Sequence, residues 1–210
     1  MTGKAGSPTG ARRAAPTPPA LARGPRVVLR ELTEADADAF VTAACASLPL
    51  HRPWVRPPST LPAFRTWIGR KQGDGRWLPL LAVRRADGAL LGVFNLSEII
   101  RGPLQQAFLG YYAFAPHAGQ GYMREALEGV LDIAFRKLKL HRIEANIQPA
   151  NGASIALVRA CGFVREGFSP RYLKIGGRWR DHERWAINAD AWKARRGAAG
   201  NLRSAAGNAS

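Results

Sequence analysis

Along residues 122–138 apolar side chains return with helical spacing. Met123, Leu127, Val130, Leu131, Ala134 and Leu138 make one stripe, while Arg124, Glu125, Glu128, Arg136 and Lys137 fill the other face. This predicts a helix packed on a sheet. The period then changes to two: Ile143, Ala145 and Ile147 alternate with Glu144, Asn146 and Gln148, the pattern of a strand with one buried face. Upstream, RVVLREL (26–32) has the β-branched content of a strand, and Thr33 with Asp36 forms a capping pair before a helix over 34–46. A proline-broken loop containing Trp54 precedes a second short helix, TLPAFRTWIGRKQ (60–72). Two apolar runs around Asp87-Gly88 predict a hairpin, and QAFLGYYAF (106–114) adds a third strand to the meander. Asn151 as N-cap and Gly162 as C-terminal stop bound a short helix, and strands over 169–175 and 178–187 flank Gly176-Gly177. The order β-α-α-β-β-β-α-β-α-β-β over residues 26–192 describes an α/β fold, a mixed sheet with helices on both faces.

A chain of 210 residues with 46% hydrophobic content suits one such domain. Its ends differ from its middle. Residues 1–25 hold Lys4, Arg12, Arg13 and Arg23, no acid, and a proline-rich run; residues 193–210 add Lys193, Arg195, Arg196 and Arg203 among Gly, Ala, Ser and Asn. Both are expected to be disordered basic tails. The net charge of +16 attracts polyanions, RNA or a phosphate-rich cofactor, without specifying a nucleic-acid site. No run approaches the roughly 18 to 20 apolar residues that cross a bilayer, and prolines break the apolar stretch near the N-terminus, so a cytosolic protein without membrane contact is expected. Cys45 and Cys161 form no paired motif and are expected to be buried reduced thiols. The histidines show no ligand spacing, and no metal is expected.

PHAGQGYMREAL (116–127) places Gly119 and Gly121 directly before the amphipathic helix. Such a turn aims several backbone N–H groups at one point with the positive end of the helix dipole behind them, which suits a phosphate or pyrophosphate. A nucleoside-triphosphate loop would need Lys-Ser/Thr after the second glycine, where Tyr122 and Met123 stand; a dinucleotide fingerprint would need a third glycine, where Arg124 stands. Alone, the two glycines discriminate poorly from an ordinary tight turn.

Their neighbours sharpen the reading. Asn151-x-x-Ser154, Cys161-Gly162-Phe163-x-x-Glu166-Gly167 and Trp179-Arg180-Asp181-His182 follow the glycine turn in order, and with them the chain resembles the GNAT acetyltransferases, within these the ribosomal-protein alanine N-acetyltransferases of the RimJ/RimL kind. The resemblance covers nearly all of residues 26–192. It implies acetyl-CoA as cofactor, with its pyrophosphate on the backbone of Gly119, Gln120, Gly121, Tyr122 and Met123. It also implies a strand carrying Tyr111, Tyr112, Ala113 and Phe114 that splays from its neighbour to pair with the pantetheine arm. Asn151 would offer its amide to that arm as well as cap the helix. Ala118 and Met123 depart from the usual residues at the ends of the turn, which removes a side-chain contact but not the backbone argument.

Acetyl transfer to an amine needs a neutral amine, a stabilised oxyanion and a proton for the departing thiolate. With a pKa of about 7.7 to 8.0, roughly a tenth of an α-amine is neutral near pH 7, against about one lysine in 2,500. A terminal amine therefore asks little of its base. Glu98 is the candidate base. Val158 stands where many GNAT enzymes place a tyrosine acid, so Ser154, one turn earlier on the same helical face, is the candidate proton donor. Trp54, Asp181 and His182 are candidates for the acceptor cleft. The expected activity is acetyl transfer from acetyl-CoA to a protein N-terminus, ribosomal by resemblance. Alternatives are acetylation of a small-molecule amine and a non-catalytic CoA- or RNA-binding module.

Overall fold

The computed structural model describes the backbone of residues 18–70, 73 and 75–207, with side chains up to residue 198. Eight strands form one mixed sheet in the order β1-β2-β3-β4-β5-β6-β8-β7. They are β1 (Ala20–Arg23), β2 (Val27–Glu31), β3 (Leu78–Arg84), β4 (Leu90–Ile100), β5 (Gln106–Ala113), β6 (Arg142–Ile147), β7 (Val164–Ile175) and β8 (Arg178–Asn188). Every neighbouring pair is antiparallel except β5 and β6. That parallel step is where a crossover helix must stand, and α4 (Tyr122–Asp132), finished by a π-helical turn over Ile133–Lys137, fills it.

The two faces of the sheet bury separate cores, as period-two strands require. On one face Leu80, Phe94, Leu96 and Leu109 meet Leu127, Val130 and Leu131 of α4. On the other, Leu81, Val93, Tyr112 and Phe114 meet Phe40 of α1 (Ala37–Ala46) and Phe64 and Ile68 of α3 (Leu61–Gly69). The Thr33–Asp36 capping pair forms ahead of α1, with the Thr33 N–H donating to Asp36 Oδ2 at 2.9 Å. Arg30 completes it, its Nη2 lying 2.5 Å from Asp36 Oδ1, and these bonds outweigh burial to hold the Asp36 carboxyl below its usual range. The meander and α5 (Gly152–Ala160) stand where the sequence pattern puts them, and so does the final hairpin, except that β7 begins five residues before the expected 169, at Val164.

Three expectations about the elements change. The first concerns the expected tail over residues 1–25, whose last part is not a tail: Ala20–Arg23 adds a strand to the edge of β2, and Leu21 and Ala22 pack on the core. A run of four residues suffices there because β2 offers it a free edge, its other edge being paired with β3; residues 1–17 lie outside the described residues. The second concerns the expected C-terminal tail, which is helical through α6 (Ala189–Gly207). One anchor explains its start: Trp192 is buried, and its Nε1–H donates to Asp132 Oδ1 at 3.1 Å, beside an Arg196–Asp132 ion pair. The third concerns the proline loop, which contains one further helical turn, α2 (Leu48–His51). Of the cysteines, Cys161 is buried and its thiol is pushed up to about 12 by that burial, whereas Cys45 is exposed, against the expectation.

Candidate functional site

β5 and β6 pair only at Gln106↔Arg142, Ala107↔Ile143 and Phe108↔Glu144. Beyond Phe108 each keeps its outer partner, β5 with β4 as far as Ala113 and β6 with β8 as far as Ile147, and the two part from one another. A V-shaped opening results, with a cavity of about 570 Å³ behind it, a size suited to a small ligand or cofactor arm. Leu109, Gly110, Tyr111, Tyr112 and Ala113 form one wall and Asn146, Ile147 and Gln148 the other. Phe114, a candidate cofactor contact, is instead fully buried in the core behind β5. The splayed strand expected from the resemblance is therefore present.

The glycine turn stands at the wide end. Gly119 and Gly121 have φ of 75° and 80°, values that favour glycine, and Gly121 is the N-cap of α4. Nothing lies within 4 Å of where a Gly119 side chain would start. Gln120 and Tyr122 turn their side chains elsewhere: Gln120 Nε2 donates to the Pro116 carbonyl, and the Tyr122 ring lies under the Arg26 guanidinium at 4.6 Å. Of these two residues only the backbone belongs to the turn. Met123 does line the cavity. Glu125, in the first turn of α4, accepts from the Arg26 and Val27 N–H groups at 2.7 and 2.9 Å and pairs with Arg26 Nε at 3.0 Å. The helix start is thus fixed to the start of β2.

On α5, Asn151 Oδ1 accepts from the Ser154 N–H at 3.2 Å, so the expected cap is real. Ser154 Oγ lies 2.5 Å from the Tyr111 hydroxyl, which also reaches the Ser154 carbonyl at 3.2 Å. Burial pushes the Tyr111 phenol well above its usual range, so the pair holds its protons at neutral pH. Val158, one turn on, is buried in the core. A tyrosine hydroxyl from β5 thus meets α5, a contact across 43 residues that no local motif announces.

At the other end the cavity meets α2, the loop after it and the β7–β8 hairpin: Leu50, His51, Trp54 and Val55 face Leu173, Ile175 and His182. Gln148 Nε2 donates to the Trp54 carbonyl and closes the floor. His182 is 2% exposed, and its Nδ1 lies 2.9 Å from the Arg180 carbonyl. Since a carbonyl can only accept, Nδ1 carries the proton, and Nε2 keeps a free lone pair with no partner among the described residues. Burial lowers the His182 pKa, the hydrogen bond to Arg180 opposing it. His51, unremarked in the sequence, is held the same way, its Nε2–H donating to the Ala113 carbonyl at 2.8 Å and leaving Nδ1 buried without a partner.

Besides Phe114, Gln120 and Tyr122, two further candidates fall outside the cavity lining. Glu98 lies past the Ser97↔Phe108 pair, alongside the end of β5 where β5 and β6 still hold together, and it pairs with Arg76 at 3.4 Å. It is not among the residues that line the cavity. Asp181 is exposed on the opposite face of β8 from His182 and accepts from the Arg171 N–H at 2.7 Å, pinning a residue with φ of 47°. It is a brace for the hairpin.

Among the described residues lining the cavity the one charged side chain is Arg124, and there is no carboxylate. No group of three metal-ligating side chains occurs among the described residues, and no helix there is long and apolar enough to cross a membrane. Comparison with known proteins agrees with the geometry. The model of the acetyltransferase (GNAT) domain matches residues 26–164. The chain is 46% identical over 102 residues to YjcK of Bacillus subtilis, covering 49% of this chain and 56% of that one. It is 37% identical over 122 residues to the ribosomal protein uS5-alanine N-acetyltransferase of Escherichia coli, covering 58% and 62%. These matches span little more than half the length of either relative. The solved structure of Mycobacterium smegmatis RimJ in complex with CoA-disulfide superposes with a TM-score of 0.72 at 31% identity, over 78% of this chain and 82% of that one.

Proposed function

The chain belongs to the GNAT acetyltransferases, and on that premise we propose that it moves an acetyl group from acetyl-CoA to the N-terminal α-amine of a protein by direct attack in a ternary complex. The observation that carries this reading is the parting of β5 and β6 onto a turn of two left-handed glycines. The residues fit the cofactor. Open backbone at Gly119 admits a pyrophosphate to the N–H groups of the turn, the unpaired edge of β5 suits an extended amide-bearing arm, and buried Asn146 Oδ1, without a partner, accepts from an amide N–H. Asn151 stands at the same wall. Bound there, acetyl-CoA supplies an activated thioester carbonyl.

The protein's own groups handle the protons. His182 replaces Glu98 as the proton acceptor: its Nε2 is unprotonated near pH 7 and lies in the wall of the acceptor end. Because burial lowers its pKa, an imidazolium at His182 would give its proton up readily, and that proton would make good the one Ser154 supplies to the leaving sulfur. Either hydroxyl can donate in the Tyr111–Ser154 contact, and the serine proton is free for the departing sulfur when the Tyr111 proton is turned to Ser154 Oγ and away from the Ser154 carbonyl. Ser154→Ala is expected to lower kcat by about 10- to 100-fold with little change in the KM for acetyl-CoA. Steady-state kinetics check this, and an unchanged kcat removes Ser154 from the chemistry.

The choice of acceptor follows from charge. A polyamine brings several positive charges and finds no carboxylate among the described lining residues. A peptide N-terminus places one amine beside neutral amides, which a largely apolar cavity tolerates. The named relatives that act on ribosomal proteins support a ribosomal acceptor. Incubation with acetyl-CoA and peptides beginning with Ala or Ser, beside internal-lysine peptides and spermidine, tests the reading by mass spectrometry. Acetylation confined to lysine or spermidine overturns the acceptor.

A further inference from the structure

The acceptor end of the cavity is neutral, but its exit is not. In the β7–β8 hairpin Leu173 pairs with Arg180 and Ile175 with Arg178, and residues directly opposite in a sheet share a face. Leu173, Ile175 and His182 line the cavity, so Arg178 and Arg180 belong to the cavity-side face of the hairpin. Across the opening, Arg56 from the loop after α2 lies against the hairpin tip, its Nε 2.6 Å from where a Gly176 Cβ would stand. None of the three arginines pairs with an acid among the described residues, and Arg180 Nε is buried without a hydrogen-bond partner. The acids of β8 are committed elsewhere: Asp181 on the opposite face to the Arg171 N–H, and Glu183 to Arg165 and the Trp185 indole.

Free cations at the mouth of a neutral acceptor end call for an anionic ligand that passes through the mouth. We infer that the acceptor is a peptide whose amino-terminal residue is followed, at positions two to four, by aspartate or glutamate side chains that pair with Arg180, Arg178 and Arg56. This rests on the acetyl-transfer reading above and names its substrate class. Spacing supports it. Alternate residues of a strand are about 6.6 Å apart, so Arg180 and Arg178 lie roughly 7 and 13 Å along β8 from His182. An extended peptide with its amine at His182 advances at a matching rate of about 3.3 to 3.6 Å per residue. Arg180, half-buried and with its Nε out of solvent and without a partner, also gains more from a carboxylate than a fully exposed cation does. RNA fits less well, since the exposed Trp179 and its partner Lys174 occupy the other face of the hairpin and offer no stacking platform beside the free arginines.

The test uses the full chain, acetyl-CoA and three peptides of equal length beginning with Ala, with Asp/Glu, Gln/Ser or Lys/Arg at positions two to four. Thiol release gives kcat/KM at low and high salt. The acidic peptide is expected to exceed the neutral one by about tenfold, an advantage that shrinks as salt screens the exit. Arg178→Gln with Arg180→Gln, and separately Arg56→Gln on its exposed loop, are each expected to bring the acidic-to-neutral ratio toward one; the second variant decides the matter if the first does not fold. Equal rates on all three peptides, or a preference for the basic one, overturn the inference while leaving N-terminal acetylation standing. Acetylation of spermidine and of no peptide overturns the functional reading itself. Competition by a short single-stranded RNA that depends on the same arginines, with no advantage for acidic peptides, makes the rim an RNA surface and also overturns the inference.

Discussion

Gly121→Val is expected to raise the KM for acetyl-CoA by at least about tenfold, the loss of a good backbone contact to phosphate. Two causes act together. Gly121 caps α4 at φ 80°, and a β-branched residue in that region costs roughly 1 to 3 kcal/mol, so the turn relaxes and its N–H groups lose their common aim. The new side chain also meets Arg26 Nη2, 3.4 Å from where its Cβ would stand, and disturbs the Arg26–Glu125 clasp beneath the turn. A thermal melt separates unfolding from the local effect, and calorimetry with coenzyme A measures the binding directly. An unaltered KM in folded protein means that the turn does not hold the cofactor.

His182→Gln is expected to lower kcat/KM by about 100-fold, the usual worth of a positioned proton acceptor, and to change the shape of the pH profile. For the native protein log kcat/KM should rise with slope one between about pH 6.5 and 8 as the substrate amine loses its proton. Below the lowered His182 pKa the slope should steepen to two, because the imidazole must also be neutral. Glutamine cannot titrate, so the variant should keep slope one throughout, a signature that a purely structural role would not produce. Stability has to be followed in the same window. His51 and His182 both have folded-state pKa values lowered by burial, so the unfolded chain binds protons first as pH falls, and stability present above about pH 6.5 is lost below it. A profile still steepening in His182→Gln removes His182 as the acceptor.

Patterns that repeat within an element were legible in the sequence: the stripe of α4, the alternation of β6, the Asp87-Gly88 hairpin and the Asn151 cap all lie where expected. What depends on which strands lie side by side was not. Glu98 reads as a strand-end carboxylate, and only the register of β4 on β5 shows that its end of the sheet is the closed one. Asp181 and His182 are neighbours in sequence and so, by the pleat, point to opposite faces; the sequence reading grouped them, and the hairpin separates them. The Tyr111–Ser154 contact and the His51 bond to Ala113 each span more than forty residues. Composition judged the first 25 residues as a unit, although four of them, Ala20–Arg23, find a strand edge to join.

The last strand of the sheet has no neighbour beyond it among the described residues, and β7 exposes Val164, Phe168, Tyr172 and Leu173 along twelve residues. A long apolar border of that kind is ordinarily a template for fibrillar growth. Here the border is broken. Its register slips between Arg165 and Gly167 and again between Ser169 and Leu173, Pro170 offers no donor, and Arg171 is forced to φ 47°. A foreign strand laid against it would find its ladder interrupted every few residues and charged side chains at Arg165, Arg171 and Lys174 to bury. The irregularities that shape the hairpin also guard the molecule against polymerising through it.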